Sequence, residues 1–135
     1  MARETFVLDT SAVLALRGDE SGADQVEALL VRAKNKSCRL LISFMTRMEI
    51  LYLTRREESE AAANEAILLL DSFPIECVTC EPDILKAAAI LKAEGGLSLA
   101  DSWIAATCIV RDAVLVHKDP EFSALEQIPQ KMLAS

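Results

Sequence analysis

The stretch FVLDTSAVLAL, residues 6–16, decides the fold class of this chain. Its apolar beginning, TFVLD at residues 5–9, is short and ends in an acid, a pattern typical of a buried strand. The small and apolar residues from about Ser11 onward predict a helix directly after it. A strand that leads straight into a helix is half of a β–α–β unit, and repetition of this unit gives a parallel sheet.

The same alternation of strand and helix continues along the rest of the chain. Further strands are predicted at 39–43 (RLLIS), 74–79 (PIECVT), 113–117 (AVLVH) and about 128–133. Further helices are predicted at 23–34, 44–56 and 60–71, from Pro82 to the Gly95-Gly96 pair, and over LSLADSWIAATCIV at 97–110. Uniformly apolar strands suit a sheet that is covered on both faces. We therefore expect an α/β fold, namely a three-layer α/β/α domain with a mostly parallel sheet of four or five strands, as one domain over residues 1–135.

Composition excludes some classes of protein. Hydrophobic residues make up 52% of the chain and aromatic residues 4%, so the core is aliphatic. No apolar run reaches the length of a membrane span, and the first residues, MARETFVLD, lack the apolar region of a signal peptide, so we expect a cytoplasmic protein. The net charge of −7 argues against indiscriminate binding of polyanions. A nucleic-acid partner would have to meet a local basic patch or a bound metal ion.

The four cysteines predict neither a disulfide framework nor a zinc site. Cys77 and Cys80 form a CxxC pair, but in a strand their odd separation sends the side chains to opposite faces. With only one CxxC pair and a single histidine, His117, the chain lacks the paired spacing of ligands that is typical of a structural zinc site. We interpret the cysteines as reduced packing residues.

Two predicted strands end in an aspartate. Asp9 follows FVL and Asp119 follows VLVHK. In an open parallel sheet, ligands bind at the carboxyl ends of the strands, so both acids are candidate site residues. Each also has a structural interpretation, because Asp9 could cap the next helix and Asp119 could cap a one-turn helix that begins at Pro120.

Asp101 is an acid at the head of a helix whose body carries no charge. Ser98 and Asp101 fit the capping-box pattern, in which each side chain satisfies a backbone N–H of the first turn. The alternative is that the buried helix serves as a rigid mount for a functional carboxylate.

Glu49 lies among apolar residues in FMTRMEILYL. At about 100° per residue its direction falls within an arc of large apolar side chains, whereas Arg47 and Thr54 mark the polar side. The arc contains Met45, Met48, Leu51, Tyr52 and Leu53. A glutamate on a buried apolar face needs a basic partner, a raised pKa or a cation. Arg56 or another arginine could supply a salt bridge instead of a cation.

Taken together, the four acids predict a cation site if they converge. Two carboxylates about 4 Å apart repel by about 4 kcal/mol at an effective dielectric constant of ~20. Carboxylate oxygens favour Mg²⁺ or Mn²⁺, and Mg²⁺ keeps open positions for water and substrate phosphate. Such a site is typical of metal-assisted hydrolysis of phosphodiester bonds.

At this point the motifs resemble those of a known family. FVLDTSAVLAL, the glutamate of FMTRMEILYL, LSLADSWIAATC and VLVHKDPEF are similar, in order and spacing, to those of PIN-domain nucleases, especially VapC-type toxins of toxin–antitoxin pairs. The resemblance implies a Mg²⁺- or Mn²⁺-dependent endoribonuclease, usually a homodimer, that is inhibited by a cognate antitoxin whose tail occupies the groove. It implies catalytic and metal-binding roles for Asp9, Glu49, Asp101 and Asp119, with Ser11 as an accessory polar residue.

One position departs from the family pattern. Many members carry a threonine two residues before the fourth acid, where this chain has His117. Its ring could contact phosphate or could simply end the strand. The basic residues nearest the motifs could supply a patch for RNA, or they could be ordinary solvated side chains. These residues are Arg47, Arg55, Arg56 and Lys118. Two other functions remain open, a housekeeping PIN nuclease for RNA processing and a non-catalytic binding module with the same fold.

Overall fold

Strands and helices alternate along residues 3–118, 120, 122 and 125–134, which are the residues that the computed structural model describes. The strands are β1 (Glu4–Leu8), β2 (Cys38–Ser43), β3 (Ile75–Val78), β4 (Val114–His117) and β5 (Gln130–Met132). The helices are α1 (Thr10–Arg17), α2 (Ala23–Lys34), α3 (Phe44–Glu57), α4 (Glu60–Ser72), α5 (Pro82–Glu94) and α6 (Leu99–Arg111). The strands and helices predicted from the sequence are all present, with ends that differ by one or two residues.

The strands form one five-stranded sheet in the order β3-β2-β1-β4-β5, and each neighbouring pair is parallel. β1 lies at the centre, where Phe6 is paired with Leu40 of β2 on one side and with Val114 of β4 on the other. The chain builds outward from β1 through β2 to β3, then crosses to the other side of β1 to add β4 and β5. The predicted α/β fold with a parallel sheet is therefore confirmed, with five strands.

Helices cover both faces of the sheet, as the uniformly apolar strands predict. Successive strand residues point to opposite faces, so Val7 packs with α5 and α6, whereas Phe6 and Leu8 pack with α1 to α4. β2 divides in the same way, with Leu41 in the first cluster and Leu40 and Ile42 in the second. The result is a three-layer α/β/α arrangement with two separate aliphatic cores.

Several boundaries have a direct local cause. β1 ends at Leu8 because Asp9 leaves the strand to cap α1. α5 begins with Pro82 and ends at Gly95, whose φ of 86° lies in a region that glycine adopts without strain. No helix in the described part of the chain is long and apolar enough to cross a membrane.

The prediction that the four cysteines are packing residues is confirmed for some of them but not for all. All four are free, and Cys38 and Cys108 are buried as expected. Cys80, however, is exposed, because β3 ends at Val78 and leaves this residue in the connection to α5. The prediction that Cys80 packs in the interior was therefore wrong.

Candidate active site at the carboxyl edge of the sheet

The carboxyl ends of β1 and β4 lie side by side at the centre of the sheet. After β1 the chain turns to one side of the sheet, toward β2. After β4 it turns to the other side, toward β5. This is the topological switch point, where open parallel sheets form their binding crevice. The backbone N–H of Asp9 continues the ladder by donating to the carbonyl of Val116 at 3.1 Å. Asp9 therefore lies at the switch point, beside the end of β4.

Asp9 is buried, with 3% of its surface exposed, and its carboxylate caps α1. Its Oδ1 accepts hydrogen bonds from the backbone N–H of Ala12 at 2.9 Å and from the hydroxyl group of Ser11 at 2.7 Å. The prediction that Asp9 caps the next helix is thus confirmed. Burial, and to a lesser degree the negative charge of Asp9, raise the pKa of the Cys108 thiol on α6.

Ser11 joins the ends of β1 and β4. While its hydroxyl group donates to Asp9, it accepts a hydrogen bond of 2.9 Å from the backbone N–H of Lys118, the residue after β4. The accessory position expected for Ser11 is consistent with these contacts.

Glu49 reaches the same edge from α3. Its Oε1 accepts a hydrogen bond of 2.7 Å from the hydroxyl group of Thr10, the residue after Asp9. Thr10 also lies 3.2 Å from the hydroxyl group of Thr46, one turn before Glu49. No ion pair of Glu49 is found in the described part of the chain, so the alternative of a salt bridge to Arg56 or another arginine is not formed there. The guanidinium group of Arg56 instead stacks over the ring of Tyr52, 5.6 Å from its centroid.

Glu49 lies near the interior as predicted, but the apolar arc of α3 is not the reason. The large apolar arc is not the buried face, because Met48, Leu51 and Tyr52 are 57%, 39% and 42% exposed. The buried stripe consists of Thr46, Ile50 and Thr54. α3 turns this stripe toward the neighbouring helices, so several large apolar residues are left at the surface, and Glu49 is half-buried beside the stripe.

Thr10 and Thr46 are the residues of the site that the sequence analysis missed. A signal was available, because Thr10 is adjacent to the strand-end acid Asp9. Thr46 precedes Glu49 by three positions, which places the two side chains on neighbouring parts of the helix surface. Thr46 was not identified because the large apolar arc of α3 was predicted to be the buried face, whereas Thr46 lies on the stripe that is buried.

Asp101 is half-buried in the first turn of α6, the helix that packs against β1 and α3. Ser98 caps this helix, since its hydroxyl oxygen accepts a hydrogen bond of 3.1 Å from the backbone N–H of Asp101. Near this end, the rings of Trp103 and Phe44 pack edge to face with centroids 5.0 Å apart. The expected buried helix is confirmed for its central residues, although Leu99 and Ile109 are exposed. The carboxyl group of Asp101 is thereby held at the end of a packed helix.

Asp119, the fourth predicted acid, lies outside the described residues, and so does the alternative in which it caps a one-turn helix. The quartet of Asp9, Glu49, Asp101 and Asp119 therefore stays a prediction.

His117 ends β4 as a buried residue, with 1% of its surface exposed. The amide nitrogen of Gln130 donates to the carbonyls of Phe122 and Leu125 at 2.7 and 3.0 Å, so its Oε1 faces His117 Nε2 at 2.8 Å and accepts from it. This arrangement ties β4 to the segment before β5, and it favours the structural interpretation of His117 over contact with phosphate.

Three of the four candidate RNA-binding side chains are engaged with acids in this structure, whereas Arg56 stacks on Tyr52. Arg47 pairs with Asp71 of α4, and this hydrogen bond raises the pKa of the guanidinium group. The ammonium group of Lys118 lies 3.8 Å from a carboxylate oxygen of Glu20. Arg55 pairs with Glu60 at 3.5 Å, on well-exposed side chains. A substrate phosphate would have to replace these acidic partners. Each of these surface ion pairs contributes little to the stability of the fold.

The carboxylate donors fit a hard divalent cation only in part. Within residues 3–118, 120, 122 and 125–134, no three histidine, cysteine, aspartate or glutamate side chains are close enough together to hold a metal ion. Mg²⁺ nevertheless binds through one or two carboxylates and keeps water as its other ligands. Asp9 and Glu49, oriented by Ser11 and Thr10 at one sheet edge, have the donor chemistry for such a site.

Comparison with known proteins places this geometry in a family. A family model described as the PIN domain matches residues 6–127. A VapBC complex of Rickettsia felis bound to promoter DNA contains a similar chain, with a TM-score of 0.79 and 17% identity over 96% of this chain and 99% of that one. DNA-bound VapBC of Salmonella typhimurium gives a TM-score of 0.77 and 18% identity over 96% and 98% of the two chains. A VapC toxin of Mycobacterium tuberculosis, described as cleaving the sarcin–ricin loop, gives 0.70 and 19% over 90% and 95%.

No curated protein shows a significant match to this chain. At these identities, the solved structures establish the fold and no more. The family model covers most of the sequence, from within β1 to beyond β4, and so includes the ends of both strands. The chain therefore belongs to the PIN domain family.

Proposed function

We propose that the chain is a Mg²⁺- or Mn²⁺-dependent endoribonuclease that hydrolyses phosphodiester bonds of RNA. The main support is the placement of Asp9 and Glu49, which come from different elements and are tied to one edge of the sheet by the consecutive hydroxyl groups of Thr10 and Ser11. Two oriented carboxylates beside a switch-point crevice have the chemistry of a cation site, and this donor type suits Mg²⁺ and Mn²⁺.

In this proposal Asp9, Glu49, Asp101 and Asp119 hold the ion. Ser11 and the backbone N–H of Ala12 fix one oxygen of Asp9, so this carboxylate needs no reorientation on binding. Thr10 does the same for Glu49. A bound divalent ion would polarise the phosphoryl oxygen and lower the pKa of the attacking water. Lys118, one residue from Asp119, and Arg47 of α3 are the proposed contacts to the RNA backbone.

We further propose that the chain is the toxin of a type II toxin–antitoxin pair. The support is the likeness in fold to the VapC chains of VapBC complexes, together with the family match. The proposal includes a cognate antitoxin as inhibitor and a homodimer as the assembled form. Exposed Met48, Leu51 and Tyr52 on α3 provide apolar surface for association. Sedimentation of the purified chain, alone and with the antitoxin, tests both partners.

The central test is cleavage of a mixture of tRNA, rRNA and mRNA with Mn²⁺ or Mg²⁺. We expect Asp9→Asn and Asp101→Asn to abolish cleavage while the thermal melt stays cooperative, because asparagine caps a helix as well as aspartate does. Asp24→Asn is the matched control, since Asp24 is an exposed acid in the first turn of α2. Undiminished cleavage by both variants in excess chelator would refute the metal-dependent mechanism at these acids.

Two other functions make different predictions. A housekeeping PIN nuclease would cleave RNA without toxicity on overexpression. A short upstream reading frame for a DNA-binding protein with a disordered tail would favour the toxin. A non-catalytic binding module would show no rise in melting temperature with millimolar Mn²⁺, whereas a metal that binds the native state raises it by linkage.

A further inference from the structure

Three side chains form a chain of oxygen atoms that ends at Glu49. The hydroxyl oxygen of Thr46 lies 3.2 Å from that of Thr10, which lies 2.7 Å from Oε1 of Glu49. Thr46 is fully buried and Thr10 is 8% exposed. The contacts join the first turn of α1 to the first turns of α3, so they connect two of the elements that carry proposed ligands.

The direction of these hydrogen bonds follows from the number of available protons. An ionised carboxylate only accepts, so the single proton of the Thr10 hydroxyl group is used for Glu49. The proton between the two threonines must then come from Thr46. Hydrogen bonds that run in one direction polarise one another, and a charged acceptor makes the last bond the strongest.

Glu49 depends on this donor for its orientation. No other hydrogen bond and no ion pair of Glu49 occurs in the described part of the chain. A glutamate side chain has three rotatable bonds, and fixing them has an entropic cost. Without the Thr10 hydroxyl group, the carboxylate would sample several rotamers at the edge of the crevice.

Thr10 is also coupled directly to Asp9. The two residues are adjacent, and Asp9 is fixed by its bonds to Ala12 and Ser11. The donor to Glu49 therefore cannot move independently of Asp9. The start of α1 therefore presents Asp9 as one proposed ligand. The side chain of the next residue, Thr10, sets the position of a second proposed ligand, Glu49.

We propose that Thr10, supported by Thr46, is a positioning residue that holds the Glu49 carboxylate beside Asp9 for cation binding. The inference rests on the proposed metal-dependent function, and it adds two residues that act through Glu49 without touching substrate. A purely structural contact between α1 and α3 would stabilise the fold without affecting how the native protein binds a cation.

The experiment measures Mn²⁺ binding by isothermal titration calorimetry and Mn²⁺-dependent RNA cleavage in the full chain. Thr10→Val keeps the shape and removes the donor. We expect it to weaken Mn²⁺ binding and cleavage by about 10- to 100-fold, the usual effect of losing a group that orients a ligand. Thr10→Ser retains the donor and should restore both to within a few-fold of the wild type. Thr46→Val should give a smaller loss than Thr10→Val.

Thr54→Val is the matched control, because Thr54 is buried on the same stripe of α3 but has no hydrogen-bond partner for its hydroxyl group in the described part of the chain. It should leave Mn²⁺ binding unchanged. If Thr10→Val proves too crowded to fold, Thr10→Ala removes the same donor with a smaller side chain.

Two results would overturn the inference. One is a folded Thr10→Val or Thr10→Ala protein that binds Mn²⁺ as tightly as the wild type. The other is a Thr10→Ser protein as defective as Thr10→Val, which would assign the effect to packing of the methyl group. If the wild type itself neither binds Mn²⁺ nor cleaves RNA, the proposed function fails first, and that outcome is distinct from both.

Discussion

The hydroxyl group of Ser11 accepts a hydrogen bond of 2.9 Å from the backbone N–H of Lys118, a residue 107 positions later in the chain. The same hydroxyl group donates to Oδ1 of Asp9 at 2.7 Å. One small side chain thus bridges the ends of β1 and β4, on the two sides of the switch point. It also orients the acid that stands between them.

Replacing Ser11 with alanine should therefore weaken both the fold and the site. Two hydrogen bonds are lost, one of them to a carboxylate. We therefore expect the free energy of unfolding, measured in urea, to fall by about 1 to 3 kcal/mol. Cleavage should fall as well, because one constraint on Asp9 is gone. Ser21→Ala is the control, since Ser21 is exposed in the turn before α2. Equal urea midpoints for the two variants would contradict this account.

At the start of α6, we expect Ser98 to have a structural role and Asp101 to have a functional one. Ser98→Ala removes the cap of the helix and should cost about 1 kcal/mol of stability while cleavage persists. Asp101→Asn keeps a similar side chain and should abolish cleavage with little change in stability. Paired urea melts and RNA-cleavage assays check both variants. Retained cleavage in Asp101→Asn with a destabilised fold would make Asp101 a capping residue only.

The order of strands and helices could be predicted almost completely from the sequence. Apolar strands, the Pro82 start and the Gly95 stop are local signals, and local signals survive in the folded chain. The central position of β1 is not local information. It depends on which pairs of strands meet, and FVLDTSAVLAL would read the same at the edge of a sheet.

The site was predicted less completely. Asp9 could be placed because parallel strands bring their carboxyl ends to one edge. The outward direction of Met48 could not be predicted, because the periodicity of α3 shows that it has a large apolar arc but not which side meets the neighbouring helices. That same uncertainty concealed Thr46 and its contact with Thr10.

Thiol reactivity gives a direct check on the fold. Burial raises the pKa of the thiols of Cys38, Cys77 and Cys108, and the thiolate is the reactive form. We expect Ellman's reagent to modify exposed Cys80 at once and Cys77 more slowly. Cys38 and Cys108 should react only when the protein unfolds. Cys80→Ser should remove the fast phase, and a fast phase that persists in this variant would show that an interior cysteine is accessible.

The ion pair between Arg17 and Glu58 should make stability depend on pH in the acidic range. The hydrogen bond from Arg17 lowers the pKa of the Glu58 carboxyl group in the folded state. Its contribution is therefore present above the pKa of the unfolded chain and is lost as pH falls through the lowered value. Melting temperatures measured from about pH 7 down to about pH 3 should fall less steeply for Glu58→Gln than for the wild type.

Glu57→Gln is the control for this comparison, because Glu57 is exposed at the same helix end and forms no ion pair in the described part of the chain. It should follow the wild-type curve. Parallel curves for Glu58→Gln and the wild type would mean that the surface pair is too well screened to contribute.

Thr54 and Thr46 should respond in opposite ways to the same substitution. Thr54 is 2% exposed, and its hydroxyl group has no hydrogen-bond partner in the described part of the chain. A buried unpaired polar group destabilises the native state, so Thr54→Val should raise the free energy of unfolding by about 1 kcal/mol. Thr46→Val should lower it by a similar amount, because the hydroxyl group of Thr46 is bonded to Thr10. Both residues lie on the buried face of α3, so the change in helix propensity is the same. Urea denaturation of the two variants measures the difference, and two destabilised proteins would show that Thr54 has a hydrogen-bonding partner in solution.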